Sequence, residues 1–352
     1  MDAAEACEPT EGLTSDIGDT TSCYTVFCCS ALFESVIKTN SSPLPRLGTR
    51  VFNWKILRLL KQLFLAAVLT FVSFMVALTL STQHFAPINE LYVFGDSLSD
   101  MGMVFRSTGG MYPPNPPYYK GRYSNGRVWV EYLALRLHLS ESQTNNFAYG
   151  GATSNSNHSS LVPGLLKQVQ SFTQTHQQTN PDALYVLWAG ANDYLQGVSS
   201  TAIPVENVTG AIASLATVGA KKFLVANLPD LGHLPATRTS SNSGSLSALT
   251  QAHNQGLRRA LKVLGQKHSD LKIETLDAFT LYREAITNPA KFGFTNVTSG
   301  CLSGSRACGN PDQFLFWDGI HPTTAAHKIL GEAAFAIIQE SGMVNSRLGA
   351  LP

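Results

Sequence analysis

Between Cys29 and Cys301 the chain has no cysteine, and from Gln62 to Asn89 it has no Asp, Glu, Lys or Arg. The first gap confines any disulfide to the two ends of the chain. Charge of one sign is also missing. Lys and Arg total 25 against 24 Asp and Glu, a net charge of +1, so there is no basic surplus for a nucleic-acid partner and no acidic tail. His158, His176, His233, His253, His268 and His327 are scattered without the paired spacing of metal ligands. No fixed-period repeat is evident, which argues against a solenoid. What remains is a chain of 352 residues that is 44% hydrophobic, ample for a folded core.

The uncharged stretch is apolar from Leu63 to Leu80 and follows Arg46, Arg50, Lys55, Arg58 and Lys61. A run of about 17–25 apolar residues spans a bilayer, and basic flanks stay on the cytoplasmic side. Residues 62–81 are therefore expected to be a signal peptide or a transmembrane anchor, with the larger C-terminal part outside the cytoplasm. Residues 1–61 read as an N-terminal extension, rich in Ser and Thr up to residue 45 and without a sustained apolar period, as expected of a disordered segment. A translation start placed too far upstream explains them equally well. Cys301 and Cys308 bracket a short loop. In an exported domain they read as a local disulfide; in a reducing compartment, as free thiols.

From about Ile88 short apolar runs alternate with amphipathic stretches. Leu91–Phe94, Leu184–Trp188, Lys222–Asn227 and Leu271–Leu276 are expected strands. Their nearly continuous apolar character fits a sheet covered on both faces. Helices are expected at Leu165–His176, Val205–Val218, Leu246–His268 and Thr323–Glu340, where apolar residues recur every three or four positions. Such alternation predicts a three-layer α/β/α sandwich with a central, mostly parallel sheet over residues 88–345. Ligands of such sheets bind beyond the carboxyl ends of the strands. Gly95-Asp96-Ser97, Gly190-Ala191-Asn192-Asp193 and Asn227-Leu228-Pro229 all fall there.

Each polar segment has an ordinary reading beside a chemical one. Gly95-Asp96-Ser97-Leu98-Ser99-Asp100 is a turn, or it exposes a hydroxyl at the sheet edge. Asp318-Gly319-Ile320-His321 is a helix cap before Pro322, or it pairs a base with the acid that orients it. A serine hydroxyl needs such a base to become a nucleophile near neutral pH, and imidazole titrates in that range. Asn146 to Thr153, with Gly150 and Gly151, and the Asn192 amide are turn formers, or they donate to a developing oxyanion.

Taken together and in this order, the four segments resemble the sequence blocks of the SGNH/GDSL hydrolases over about residues 90–340. The segment Gly121–Leu133 and the Phe314-Leu315-Phe316-Trp317 run are similar to secreted bacterial and plant lipase-like members. The resemblance implies a flavodoxin-like α/β sandwich, Ser97 as nucleophile, His321 as base and Asp318 as its orienting acid. It further implies an oxyanion hole from Ser97 N–H, Gly151 N–H and the Asn192 side chain, with Gly150 as the alternative glycine, and no metal or organic cofactor. The expected substrate is a lipid or small-molecule acyl ester, with an acetylated glycan, or acyl transfer to another alcohol, as the alternatives on the same site. Membrane association would come from the apolar segment. A degenerate binding protein on this scaffold would be expected to lose the nucleophile or the base, and this chain keeps both. The Gly-x-Ser-x-Gly elbow of the α/β-hydrolases is absent.

Overall fold

The computed structural model describes residues 54–81, 88–156 and 162–344, and the chain divides into two units after Ser81. The expected features at Cys7, Cys23, Cys28, Cys29 and His158 lie outside the described residues, as does the extension up to Asn53. In the first unit a single helix, α1, runs from Trp54 to Ser81. Its Trp54–Met75 portion is long and apolar enough to cross a membrane. The helix starts ahead of the uncharged stretch and takes in Lys55, Arg58 and Lys61, because Lys, Arg and Leu all favour the helical backbone.

The second unit is built on five parallel strands: β1 (Leu91–Gly95), β2 (Thr144–Asn146), β3 (Leu184–Trp188), β4 (Lys222–Ala226) and β5 (Lys272–Leu276). Their order is β2-β1-β3-β4-β5. Side chains alternate between the two faces, the strand period of two. Val93, Val186 and Leu224 point to one side, packing with α3 (Trp129–Arg136) and α9 (Thr324–Glu340). Phe94, Tyr185, Leu187, Phe223 and Val225 point to the other, against α4 (Leu165–Thr175), α6 (Ala202–Thr217) and α7 (Ser243–Lys267). Two buried cores on one sheet make the three-layer α/β/α sandwich, and its main sheet is wholly parallel.

Short helices α2 (Met103–Ser107), α5 (Ala191–Leu195) and α8 (Ala278–Thr287) sit at the carboxyl ends of strands or just beyond them. The sequence pattern had not marked β2, α3 or α8. Thr144-Asn145-Asn146 carries no apolar residue and lies at the sheet edge, where pairing needs no buried face. Helix α3 has only eight residues, and α8 ten, too short for a clear helical period. Asp277 starts α8 by accepting from Thr280 N at 3.1 Å. Near the C-terminus, Cys301 and Cys308 are joined by a disulfide.

Candidate active site

Strand β1 stops at Gly95, whose φ of +152° places a hypothetical Cβ 2.1 Å from the Trp188 carbonyl oxygen. Only glycine permits that approach. The side chain of Gln168 clamps the same residue, accepting from Gly95 N at 2.9 Å and donating to Gly95 O at 2.8 Å. The chain then turns, and Asp96 accepts from Leu98 N at 3.0 Å. Ser97 is carried on this turn and is 8% exposed. Asp100 ends the turn by accepting from Gly102, Met103, Val104 and Gly150 backbone N–H groups.

His321 reaches Ser97 from the far end of the sequence. Its Nε2 lies 2.9 Å from Ser97 Oγ, and its Nδ1 lies 2.8 Å from Asp318 Oδ2. The other Asp318 oxygen accepts from the Ile320 and His321 backbone N–H groups, both at 2.8 Å. Burial alone would raise this carboxyl. The charge and ring hydrogen bond of His321, with the two backbone donors, outweigh it and bring the pKa down to about 2. Asp318 is thus a carboxylate at neutral pH and can hold the imidazole with Nε2 facing Ser97.

The turn bearing His321 is fixed by a segment nearly two hundred residues away. Ser124 Oγ donates to Pro322 O at 2.9 Å, Asn125 Oδ1 accepts from Thr324 N at 2.8 Å, and Thr324 Oγ1 donates to Arg127 O at 2.9 Å. Asn125 and the Arg127 carbonyl thereby tie this segment to the turn that bears His321. Tyr118 adds a hydroxyl that donates to Asp318 Oδ2 at 2.8 Å, and the Tyr123 ring lies 5.1 Å from the imidazole.

Three groups beyond the ends of β1, β2 and β3 can donate to an anion near Ser97. Neither the Ser97 nor the Gly151 backbone N–H has a partner among the described residues. The Gly150 N–H is committed to Asp100 at 2.9 Å. Gly151 has φ +82° and nothing within 4 Å of where a Cβ would be. Asn192 lines the same cleft as Ser97. One of its amide hydrogens goes to Ala152 O at 2.9 Å, so the second remains for a ligand. Next to it, Asp193 accepts from Ser154 N at 2.8 Å and from its hydroxyl at 2.7 Å, tying the β3 turn to the Gly151 segment.

Gln168, which clamps Gly95 across 73 residues of sequence, carried no signal in the linear chain. Tyr118, Gln168 and Asp193 act through contacts between residues far apart in the chain. Asp96 is buried, and burial chiefly pushes its carboxyl up to about 7, against the Leu98 N–H that favours the ionised form. Among the described residues no cluster of His, Cys, Asp or Glu is arranged to hold a metal.

Residues 91–334 match the model of the GDSL-like lipase/acylhydrolase family. The chain is 30% identical to the phosphatidylcholine-sterol acyltransferase of Aeromonas hydrophila over 75% of this chain and 95% of that protein. It is 28% identical to the GDSL esterase/lipase APG of Arabidopsis thaliana, over 75% of this chain and 94% of that protein. Among solved structures, the carbohydrate acetylesterase Est24 of Sinorhizobium meliloti superposes with a TM-score of 0.43 at 14% identity, covering 72% of this chain and 97% of that one.

Proposed function

Because the chain belongs to the GDSL-like lipase/acylhydrolase family, whose members cleave ester bonds, we propose that it hydrolyses acyl esters through Ser97, His321 and Asp318. The observation that carries this reading is the unbroken hydrogen-bonded line from Ser97 Oγ to His321 Nε2 at 2.9 Å and from His321 Nδ1 to Asp318 Oδ2 at 2.8 Å. His321 takes the Ser97 proton as Oγ attacks the ester carbonyl. The Ser97 N–H, the Gly151 N–H and the Asn192 amide hold the oxyanion that forms. Collapse of that intermediate expels the alcohol, which leaves with the proton from His321. Water then gives its proton to the same imidazole and attacks the acyl-enzyme, and Ser97 is released with the free acid.

Acyl transfer follows the same steps with a second alcohol in place of water. The relationship to the phosphatidylcholine-sterol acyltransferase of Aeromonas hydrophila favours a lipid acyl donor and makes transfer the second reading. Export suits such a substrate. It is supported by the Trp54–Met75 helix, the basic residues before the uncharged stretch and the Cys301–Cys308 disulfide.

The test is hydrolysis of p-nitrophenyl esters by the purified full chain beside Ser97→Ala. Hydrolysis that disappears in the variant supports the serine mechanism. If the variant equals the wild-type protein on every ester, the mechanism is wrong. Addition of a long-chain alcohol to a phospholipid reaction separates transfer from hydrolysis, by ester product against free fatty acid.

A further inference from the structure

The cleft that holds Ser97 and Asn192 has an apolar wall formed by Leu195, Leu231 and Leu234. Beyond it lies a second cavity of about 210 Å³, and Leu234 and Tyr282 line both. Leu234 and Tyr282 are 2% and 5% exposed, so the two spaces share a buried boundary. The far cavity is surfaced by Phe279, Ile286 and Phe316 as well. Apart from the Tyr282 hydroxyl at the boundary, its polar lining residues have partners or stand exposed. His233 Nδ1 lies 2.9 Å from Asp230, Asp230 also accepts from Ser247 Oγ at 2.6 Å, and Arg283 and Thr287 are exposed.

We propose that this cavity receives the acyl chain of the ester, so that the enzyme prefers chains of several carbons to acetyl. The proposal rests on the esterase reading above. A carbonyl carbon bonded to Ser97 Oγ carries an oxyanion, a leaving oxygen and an acyl carbon. Asn192 and the backbone donors claim the first, and the proton on His321 Nε2 claims the second. The acyl carbon takes the remaining direction, and among the apolar residues that line the cleft Leu234 also lines the cavity beyond. An apolar chain suits such a lining, since apolar surface leaves water without a hydrogen-bonding requirement. A glycan would leave its hydroxyls unpaired there. A space of about 210 Å³ has room for an acyl chain of several carbons.

The experiment is kcat/KM of the full chain on p-nitrophenyl acetate, butyrate and octanoate, with Ile286→Trp and Ile286→Ala. For the wild-type protein kcat/KM rises with chain length, by up to about fourfold for each methylene that is fully buried. Ile286→Trp, which fills the cavity, lowers the octanoate-to-acetate ratio at least tenfold. Ile286→Ala, which enlarges it, moves the preference toward longer chains and serves where the tryptophan variant does not fold. A wild-type profile that favours acetate, or a ratio unmoved in the folded variants, overturns the acyl pocket while leaving the esterase intact. Absence of any hydrolysis above Ser97→Ala overturns both.

Discussion

The Tyr118 hydroxyl donates to Oδ2 of Asp318 at 2.8 Å, the same oxygen that faces His321 Nδ1. Burial first, and then the Asp318 charge, hold the Tyr118 hydroxyl well above its ordinary pKa, so it stays a donor. Tyr118 thereby ties its own segment to Asp318. Tyr118→Phe removes one charge-assisted hydrogen bond, worth about 1.5–3 kcal/mol in total. Part of that falls on the reaction: kcat is expected to drop about three- to tenfold with KM little changed. Steady-state kinetics on a short ester checks it, and an unchanged kcat would show that His321 and the two backbone donors suffice to hold Asp318.

Asp318→Asn keeps the shape of the side chain but cannot stabilise the imidazolium. A drop in kcat of about 10⁴-fold is expected, the size seen when a triad acid is neutralised. A loss below tenfold would mean that Tyr118 and the loop orient His321 without a carboxylate.

Asn192→Ala tests the oxyanion assignment. Removing one such donor costs about 10²–10³ in kcat. The same substitution also frees the Ala152 carbonyl, so the thermal midpoint is measured alongside. A kcat that stays near wild type in a folded variant removes Asn192 from the site.

Gly126 lies in the segment that holds the His321 turn, and a Cβ there would stand 2.6–2.9 Å from three atoms of the Thr324 side chain. Gly126→Ala therefore overpacks a close contact, which costs about 1–3 kcal/mol, and it shifts the turn that carries the base. Stability and kcat are both expected to fall. Thermal denaturation with kinetics below the midpoint separates the two, and a variant equal to wild type in both would show that the clamp yields freely.

Stability is expected to fall on acidification before Asp318 protonates. Burial lowers His253 to about 4 and, with the charge of His321, lowers His327 to about 3, from an ordinary 6.5. A depressed folded-state value means that the unfolded chain binds the proton first. The stabilisation is therefore complete above about pH 6.5 and lost as pH falls toward 4 and then 3. His253 touches Tyr194 Oη at 2.7 Å through Nδ1, beneath the turn that bears Asn192. Denaturant midpoints from pH 7 to 4 should slope less in His253→Gln, and equal slopes would place the acid sensitivity elsewhere.

Much of this arrangement is legible in the linear chain where the pattern is local. Leu184–Trp188 is apolar at every position because both of its faces are covered, and it is buried throughout. Asp318 and His321 are three residues apart, so one turn brings carboxylate and ring together. Polar β2 escaped notice because an edge strand has no apolar signature. The choice between Gly150 and Gly151 could not be read from their order either. It turns on Asp100 Oδ2, which takes the Gly150 N–H across fifty residues of sequence.

By itself the sequence determined the layers, the strand ends that carry Ser97 and Asn192, and the pairing of His321 with Asp318, because periodicity and short turns act within a few residues. Only the tertiary structure decided that Ser97 meets His321, that Tyr118 reaches Asp318, and that Leu234 and Tyr282 stand between the cleft and an apolar cavity. Those contacts join segments up to 224 residues apart. Packing of the parallel sheet brings them together, and no local preference of the chain encodes such distances.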